Sequence, residues 1–413
     1  SRGAGVPGAQ SLDALLDAIE HLQGAPLAAS TLEGDVLAAR LDGYGPGDLD
    51  ALLAAGEVVW RGVDSIGDRD GRVALYLTDH FPRLWRPAAA GELSPRERAI
   101  VAHLDAHGAA FFAAIHEGAG GGYPGETVDA LWDLVWKGLV TNDTFHALRA
   151  FTRGPVRPAR KPARTAFRSR RAAPPSAEGR WSLLAERTAA PVSDTQWSTA
   201  TAQQLLSRYG IVTREVAAAE GLAGGFGAVY GVLKALEDAG RVRRGYFVSG
   251  VGAVQFALPP ALDLLRSLRD APDEPEVVVA AATDPANPFG TMLKWPGANE
   301  APGRGPTRSV GALVILVNGS LAGYLPRGGR QLFAYVPDDE PARSVAGRGL
   351  AKALASLARD DRREGLLLTE INGGDPSQSS ASPYLIEAGF YAGAMGLHLR
   401  PKNSHPASAR VSG

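Results

Sequence analysis

One pattern recurs three times along this chain: three short helical segments followed by two strands that a turn connects. It is clearest over residues 199–259, where TATAQQLLSRYG, VTREVAAAEG and GFGAVYGVLKALEDAG space their apolar residues as helices do. RVRRGYFVSGVGAVQFALP then alternates with the period of strands. Two earlier stretches, 11–77 and 94–142, follow the same order with different residues. This layout is typical of a winged helix, so the repetition predicts tandem winged-helix domains.

From about Val277 the sequence becomes rich in strands, with NGS and RGG as turns and helices near 343–360 and 382–389. This part is predicted to be a terminal β-barrel or a small α/β unit. The predicted fold class is therefore α+β, with tandem winged-helix domains followed by a β-barrel-like C-terminal domain. The predicted domains are winged helices at 1–92, 93–152 and 181–260, a basic linker at 153–180, and the β-rich domain at 261–413.

Composition excludes several classes of site. The 413 residues include no cysteine, so disulfides, cysteine–zinc sites, iron–sulfur clusters and thiol catalysis are excluded. No run of 18 apolar residues is present, and we expect no membrane partner and a cytoplasmic, nucleoid-associated protein. The chain opens at Ser1 rather than at a methionine, which predicts a piece of a longer protein.

Positive charge is concentrated in one proline-rich strip. Residues 153–180 hold nine basic residues and one acidic residue, although the whole chain has a formal charge of −1. Five prolines make this strip a poor helix and a poor strand. Two interpretations remain open: a solvated linker, or an arm whose guanidinium groups bind phosphates. The candidate DNA-binding residues here are Arg157, Arg160, Lys161, Arg164, Arg168, Arg170 and Arg171.

The third winged helix is the better candidate for recognition of DNA, because its third helix and wing are basic and aromatic. The candidate residues are Tyr230, Lys234, Arg241, Arg243, Arg244 and Tyr246. A winged helix used only for packing is the alternative. The first winged helix is acidic, with Asp48 and Asp50 on its third helix, and is expected to be structural or to bind protein.

Motifs for catalysis are weak. His103 and His107 have the i, i+4 spacing of a helical zinc site but lack a clear third ligand, so no metal is expected. No G-x-x-x-x-G-K-[ST] motif is present, which excludes a P-loop ATPase within this chain. Asp284, in the loop AATDPANPFGTMLKWP, is the first carboxylate to test if the protein excises a base, and a structural corner is the alternative.

The runs GRWSLL, AATDPANPFG and VILVNGSLAGYLPRGGR, with the third winged helix, resemble the C-terminal region of bacterial Lhr-type large helicase-related proteins. The resemblance is specific over about residues 180–335 and looser before it. It implies winged helices ending in a β-barrel. It also implies that ATP and magnesium belong to a 3′-to-5′ helicase in an absent N-terminal half, and that this piece holds no cofactor of its own. That region is similar to tandem winged-helix DNA glycosylases of the AlkZ type, whose Q-Φ-Q motif we do not find here.

Three functional hypotheses remain open on this basis. The first is a DNA-binding module of an ATP-dependent repair helicase, whose partner is single-stranded or duplex DNA. The second is a DNA glycosylase, a hydrolase that removes uracil or a damaged base. The third is a platform for homo-oligomerisation, for which the helix LWDLVWKGL provides tryptophans, although core packing is the simpler use of Trp132 and Trp136.

Overall fold

A computed structural model describes residues 7–87, 91–153, 174–188, 192–252, 254–269, 272, 274–297, 305–359 and 365–400. The chain forms two compact units, residues 1–262 and 263–413. No helix in the described ranges is both long and apolar enough to cross a bilayer.

The first winged helix is built around a three-stranded sheet in the order β1-β3-β2. Its elements are α1 (Pro7–Leu22), β1 (Leu27–Ala28), α2 (Ala29–Thr31) with a π-helical segment (Leu32–Leu37), α3 (Pro46–Ala55), β2 (Val58–Ser65), β3 (Gly71–Leu77) and α4 (Phe81–Leu84). The apolar faces of these helices meet Trp60 and Leu75 of the hairpin, which are buried in the core.

The second winged helix has the same sheet order, β4-β6-β5. Its elements are α5 (Pro95–His107), β4 (Ala110–Phe111), α6 (Phe112–Gly118), α7 (Pro124–Trp136), β5 (Val140–Asn142), α8 (His146–Arg153), a 3-10 turn (Pro175–Ala177), β6 (Arg180–Leu183) and a second 3-10 turn (Leu184–Arg187). Ser94 caps α5 by accepting a hydrogen bond from the Glu97 amide, as the S-P-x-E pattern predicts.

The strand β6 completes the sheet of the second winged helix. It lies between β4 and β5, pairing Thr141 with Ser182, and it buries Trp181 completely. In the sequence, α8 and most of the basic strip therefore separate β5 from the strand that pairs with it. The predicted boundaries at 152 and 181 remain predictions.

The third winged helix repeats the sheet order once more, as β7-β9-β8. Its elements are α9 (Asp194–Tyr209), β7 (Ile211–Val212), α10 (Arg214–Ala219), α11 (Gly227–Asp238), β8 (Arg243–Gly245) and β9 (Gln255–Ala257), followed by α12 (Pro259–Ser267). Thr213 caps α10 through a hydrogen bond from the Val216 amide, as its sequence position predicts. The α+β class and the tandem winged helices are thus confirmed.

The C-terminal unit holds two sheets, in the orders β10-β11-β12-β13-β15 and β14-β17-β16. Its elements are β10 (Val277–Ala281), β11 (Leu313–Val317), β12 (Ser320–Leu325), β13 (Gln331–Ala334), α13 (Ala342–Arg359), β14 (Leu366–Leu368), β15 (Glu370–Ile371), a 3-10 turn (Pro376–Gln378), α14 (Ser382–Glu387), β16 (Tyr391–Gly393) and β17 (Gly396–Leu399).

The predicted β-barrel is not formed by these strands. Among the described residues no further strand pairs with β10 or β15, the two edges of the five-stranded sheet, so the sheet is open rather than closed. Leu350 and Leu354 of α13 pack in one core with Ile315 of the sheet. Val314, the residue before Ile315 on β11, packs with Phe289 in a second core on the other face of the sheet. An apolar sheet covered on both faces needs no closure, so the small α/β alternative describes this unit better.

Candidate nucleic-acid interface

The third helix of the first winged helix, α3, contacts the second winged helix through one of its carboxylates. Arg149 of α8, 12% exposed, contacts the carboxylates of Glu33 and Asp50, with 2.6 Å between nitrogen and oxygen in each pair. Asp50 lies on α3, and its other oxygen accepts a hydrogen bond of 2.9 Å from the Phe145 amide. These contacts occupy Asp50, while several small residues of α3 remain exposed.

The third helix of the second winged helix, α7, packs one face against the first hairpin and leaves acidic side chains exposed on the other. A Cβ atom placed on Gly62 of β2 would lie 2.2 Å from the carbonyl oxygen of Val135, and one on Gly71 would lie 2.4 Å from the ring of Trp136. Trp132 is 3% exposed and donates a hydrogen bond of 3.0 Å to the carbonyl oxygen of Ser176. The tryptophans of α7 therefore serve the core.

The third helix of the third winged helix leaves one face uncovered. Val229 and Leu233 of α11 are fully buried, whereas Tyr230 and Lys234 are exposed at helical spacing on the opposite side. Tyr230 is 36% exposed, and its ring lies edge-on to the buried Phe256, with 6.0 Å between centroids. Two glycines on the same exposed face, at 227 and 231, have open space where a Cβ would lie.

Most of the basic candidate residues around α11 have no ion-pair partner within the described ranges. The exception is Arg244 of β8, which pairs with Glu237 of α11, with 3.1 Å between nitrogen and oxygen. Within the described ranges, the side chains of Lys234, Arg241 and Arg243 have no hydrogen-bond or ion-pair partner, and all three are exposed. We call α11 together with residues 241–246 the recognition surface. It combines three free positive charges with two exposed aromatic side chains.

The helix α9 connects the recognition surface to the first winged helix. It packs against α11 and is hydrogen-bonded to the C-terminal end of α1. Gln204 donates hydrogen bonds to the carbonyl oxygens of Glu20 (2.8 Å) and His21 (3.1 Å), and Arg208 donates to His21 (3.0 Å). These side chains satisfy carbonyl groups that a helix end leaves without partners.

Arg208 also pairs with Glu220 of the third winged helix, and the two side chains are only 4% and 8% exposed. Burial lowers the pKa of Arg208, but the attraction of Glu220 outweighs burial and keeps the guanidinium charged. The Tyr209 hydroxyl donates a hydrogen bond of 2.6 Å to the same carboxylate. Burial and the negative charge of Glu220 raise the pKa of Tyr209 above its ordinary value.

The seven basic candidates of the strip lie outside the described residues, which exclude 154–173. They are Arg157, Arg160, Lys161, Arg164, Arg168, Arg170 and Arg171. The described residues on either side of 154–173 are packed in the second winged helix, since Leu148 of α8 and Ala177 each have 1% exposure.

The candidate carboxylate Asp284 lies in a buried corner of the C-terminal unit. It is 1% exposed, and one of its oxygens accepts a hydrogen bond of 2.7 Å from the Ala286 amide. Asn287 is fully buried and binds backbone groups on both sides of the same turn. Arg308 donates hydrogen bonds of 3.0 Å to the carbonyl oxygens of Thr283 and Asp284. This environment fits the structural-corner alternative, since a carboxylate so deeply buried offers little surface to a substrate.

The two histidines with helical zinc spacing are stacked on α5, with 4.5 Å between the ring centroids of His103 and His107. The Nδ1 atom of His107 is hydrogen-bonded to the carbonyl oxygen of His103 at 2.9 Å. Across the described ranges, no three His, Cys, Asp or Glu side chains gather as a metal site.

Comparison with known proteins assigns the two outer winged helices. Residues 2–78 and 191–277 each match a family model described as a winged-helix domain of large helicase-related protein. Over these two ranges the chain is similar to winged-helix domains of the large helicase-related family. The resemblance seen in the sequence is thereby confirmed.

Two relatives extend the match along the chain. "Lhr helicase/probable uracil glycosylase" of Mycolicibacterium smegmatis is 40% identical over 94% of this chain and 27% of its own length. "Lhr helicase/uracil glycosylase" of Escherichia coli is 36% identical over 94% of this chain and 26% of its own. The chain thus spans about a quarter of these relatives. Among solved structures, the DNA glycosylase AlkZ of Streptomyces sahachiroi aligns with a TM-score of 0.46 at 14% identity, covering 88% of this chain and 99% of that one.

Proposed function

We propose that this chain is a DNA-binding module of a larger DNA repair helicase and that it holds DNA through the recognition surface. The observation that carries the proposal is the difference between the exposed surfaces of the three third helices. α3 and α7 contact each other's domains and expose small or acidic residues on their outer faces. By contrast, α11 exposes Tyr230 and Lys234 beside Arg241 and Arg243, and these three basic side chains have no partner within the described ranges.

The exposed face of α11 suits a phosphate backbone better than base edges. A helix of this kind enters the major groove while neighbouring basic residues bind phosphates. The exposed residues of α11 include no Asn, Gln or Arg, the side chains that read bases by paired hydrogen bonds. Tyr230 and Lys234, beside glycines that leave room for close approach, therefore support binding with little sequence preference.

The basic strip supports the same proposal from a second place. Most of it lies in the sequence between β5 and β6, the two strands that a wing connects in a winged helix. We propose that Arg157, Arg160, Lys161, Arg164, Arg168, Arg170 and Arg171 bind phosphates there. The helicase activity named for both relatives, with its ATP and magnesium, would belong to parts of the larger protein outside this chain.

A salt titration of DNA affinity tests the proposal. The slope of log K against log salt reports the number of phosphates that the protein neutralises, about 0.9 per contact. The double variant Lys234→Gln, Arg243→Gln is expected to lower the slope of the wild-type chain by about 1.8. Arg69→Gln, an exposed arginine at the turn of the first hairpin, is the matched control and should leave the slope unchanged. An equal loss in both variants would refute the assignment to the third winged helix.

The strip is tested separately. Replacing residues 157–171 by a Gly/Ser segment of equal length removes seven positive charges and leaves both flanks in place. If the strip is a wing that binds phosphates, the slope falls further than in the double variant. An unchanged slope would leave the strip as a solvated insertion.

Base excision is the second candidate function, and the names of both relatives, which include a uracil glycosylase, favour it. It predicts a product when the chain is incubated without ATP on end-labelled DNA that contains one uracil and is then treated with alkali. Loss of that product in Asp284→Asn, with DNA affinity retained, would place catalysis at Asp284 despite its burial. A product that survives the substitution would keep the activity and discard this residue.

A further inference from the structure

Tyr246 is a large aromatic side chain that the fold presents to solvent. It follows β8 directly and is 82% exposed, more than the exposed Tyr123 of the second winged helix at 72%. Exposure of a single tyrosine is not unusual in itself. What distinguishes this one is the backbone that holds it and the charge that surrounds it.

Side-chain hydrogen bonds hold the backbone of the wing around Tyr246. Gln255 of β9, fully buried, accepts hydrogen bonds from the amides of Phe247 (2.8 Å) and Val248 (2.9 Å) and donates one to the Val248 carbonyl oxygen (2.9 Å). Glu215 of α10 accepts another from the Gly252 amide at 3.2 Å. The three bonds of Gln255 restrict the backbone that directly follows Tyr246.

The residues that flank Tyr246 turn toward the protein. On one side, Gly245 pairs with Gln255 in the sheet. On the other, the ring of Phe247 folds back so closely that a Cβ on Gly245 would lie 2.8 Å from it. Tyr246 therefore stands out from a backbone that is anchored on both sides, so little conformational entropy is lost when its ring is covered.

The charge beside Tyr246 indicates what would cover it. Arg241 and Arg243 precede it, exposed and without ion-pair partners within the described ranges. An aromatic ring next to unpaired cations is the combination that binds single-stranded nucleic acid, where bases stack on the ring and phosphates meet the cations. In an uninterrupted duplex both faces of each internal base are already stacked, and opening such a step costs energy.

We infer that Tyr246 is a base-stacking residue and that the recognition surface selects DNA with an exposed base face, at a junction between duplex and single strand. This inference rests on the proposed function and adds a substrate class to it. α11 holds the duplex side without reading its sequence, and the ring of Tyr246 stacks on the first unpaired base, which a blunt duplex lacks. The preference is for a DNA structure rather than for a DNA sequence.

The test uses the full chain, with three DNAs and three variants. The DNAs are a blunt duplex, the same duplex with an unpaired tail, and the tail alone. The variants are Tyr246→Ala, Tyr246→Phe and, as the matched control, Tyr123→Ala. Binding is followed by fluorescence anisotropy at one salt concentration. A 2-aminopurine at the first unpaired position reports stacking directly, because a stacked neighbour quenches its fluorescence.

We expect the wild-type chain to prefer the tailed duplex. Tyr246→Ala should weaken binding to the tailed duplex about 5- to 100-fold, abolish the quenching and leave the blunt duplex unaffected. Tyr246→Phe should restore both signals, since the ring and not the hydroxyl stacks. Because the side chain is mostly exposed, the thermal midpoint of the alanine variant should match the wild type.

Two results would overturn the inference and leave the proposed function standing: equal weakening on the blunt and tailed duplexes, or no weakening on either. If the wild-type chain binds none of the three DNAs, the proposed function fails and the inference fails with it.

Discussion

Arg208 connects the third winged helix to the first, and its removal should be costly. The guanidinium is buried, pairs with Glu220, and donates to the carbonyl oxygens of His21 and Gln23 at the end of α1. In Arg208→Met the apolar volume is largely kept. The Glu220 carboxylate then stays buried with the Tyr209 hydroxyl as its remaining partner among the contacts described above.

The expected loss of stability follows from the charge of Glu220, which remains buried without its arginine partner. Removing one partner of a buried ion pair typically destabilises a protein by about 3–5 kcal/mol. For a unit of this size, 1 kcal/mol shifts the melting temperature by about 2–4 °C, which gives roughly 6–20 °C for Arg208→Met. Thermal unfolding followed by circular dichroism measures the shift. A control, Arg241→Met, removes an exposed arginine without a described partner and should shift the midpoint little.

The double variant Arg208→Met, Glu220→Leu separates the two parts of this reasoning. When both charges of a buried pair are replaced by apolar groups, the cost of the uncompensated charge disappears. The double variant should therefore be more stable than Arg208→Met alone. A shift of less than about 2 °C in the single variant, or a double variant less stable than the single one, would refute the argument.

Three further predictions concern stability. Gly62→Ala should cost about 1–3 kcal/mol in urea unfolding, because its Cβ meets a carbonyl of α7, while Gly34→Ala has open space and should be neutral. Burial raises the pKa of Glu97, but hydrogen bonds that include one from Lys137 outweigh burial and set the pKa below its ordinary value. The resulting stability is present above the ordinary carboxyl pKa and is lost as pH falls through the lowered one, so Glu97→Gln should flatten the acid limb of unfolding free energy against pH. Asp284→Ala should lower the free energy of unfolding by about 1–3 kcal/mol through the lost turn bond and leave DNA affinity unchanged, and an unchanged free energy of unfolding would contradict its corner role.

Local chemistry made the helices predictable. Ser94 and Thr213 cap the helices that their positions indicate, and the helix expected at 343–360 is found at Ala342–Arg359. The exposed and buried sides of α11 follow from the spacing of Tyr230 and Lys234 against Val229. Each of these features depends on residues within one or two turns of each other, which is the range over which sequence patterns carry information.

Long-range pairing was not predictable from the same patterns. The 37 residues 143–179 separate β5 from β6, and alternation alone does not identify the partner of a strand. The large apolar side chain of Trp181 was a sequence signal at this strand, and the structure buries it in the core of the first unit. The same limit applies to the C-terminal sheet, since period-two patterns predict strands but not whether a sheet closes. Which third helices are covered also depends on packing between domains.

The central claim is that α11, and neither α3 nor α7, contacts DNA. Amide hydrogen exchange of the whole chain, with and without a saturating tailed duplex, tests it most directly, because bound DNA slows exchange where it covers the protein. The account predicts slower exchange across residues 226–247, with exchange over 46–55 and 124–136 unchanged. Protection of 46–55 or 124–136 without protection of 226–247 would contradict it.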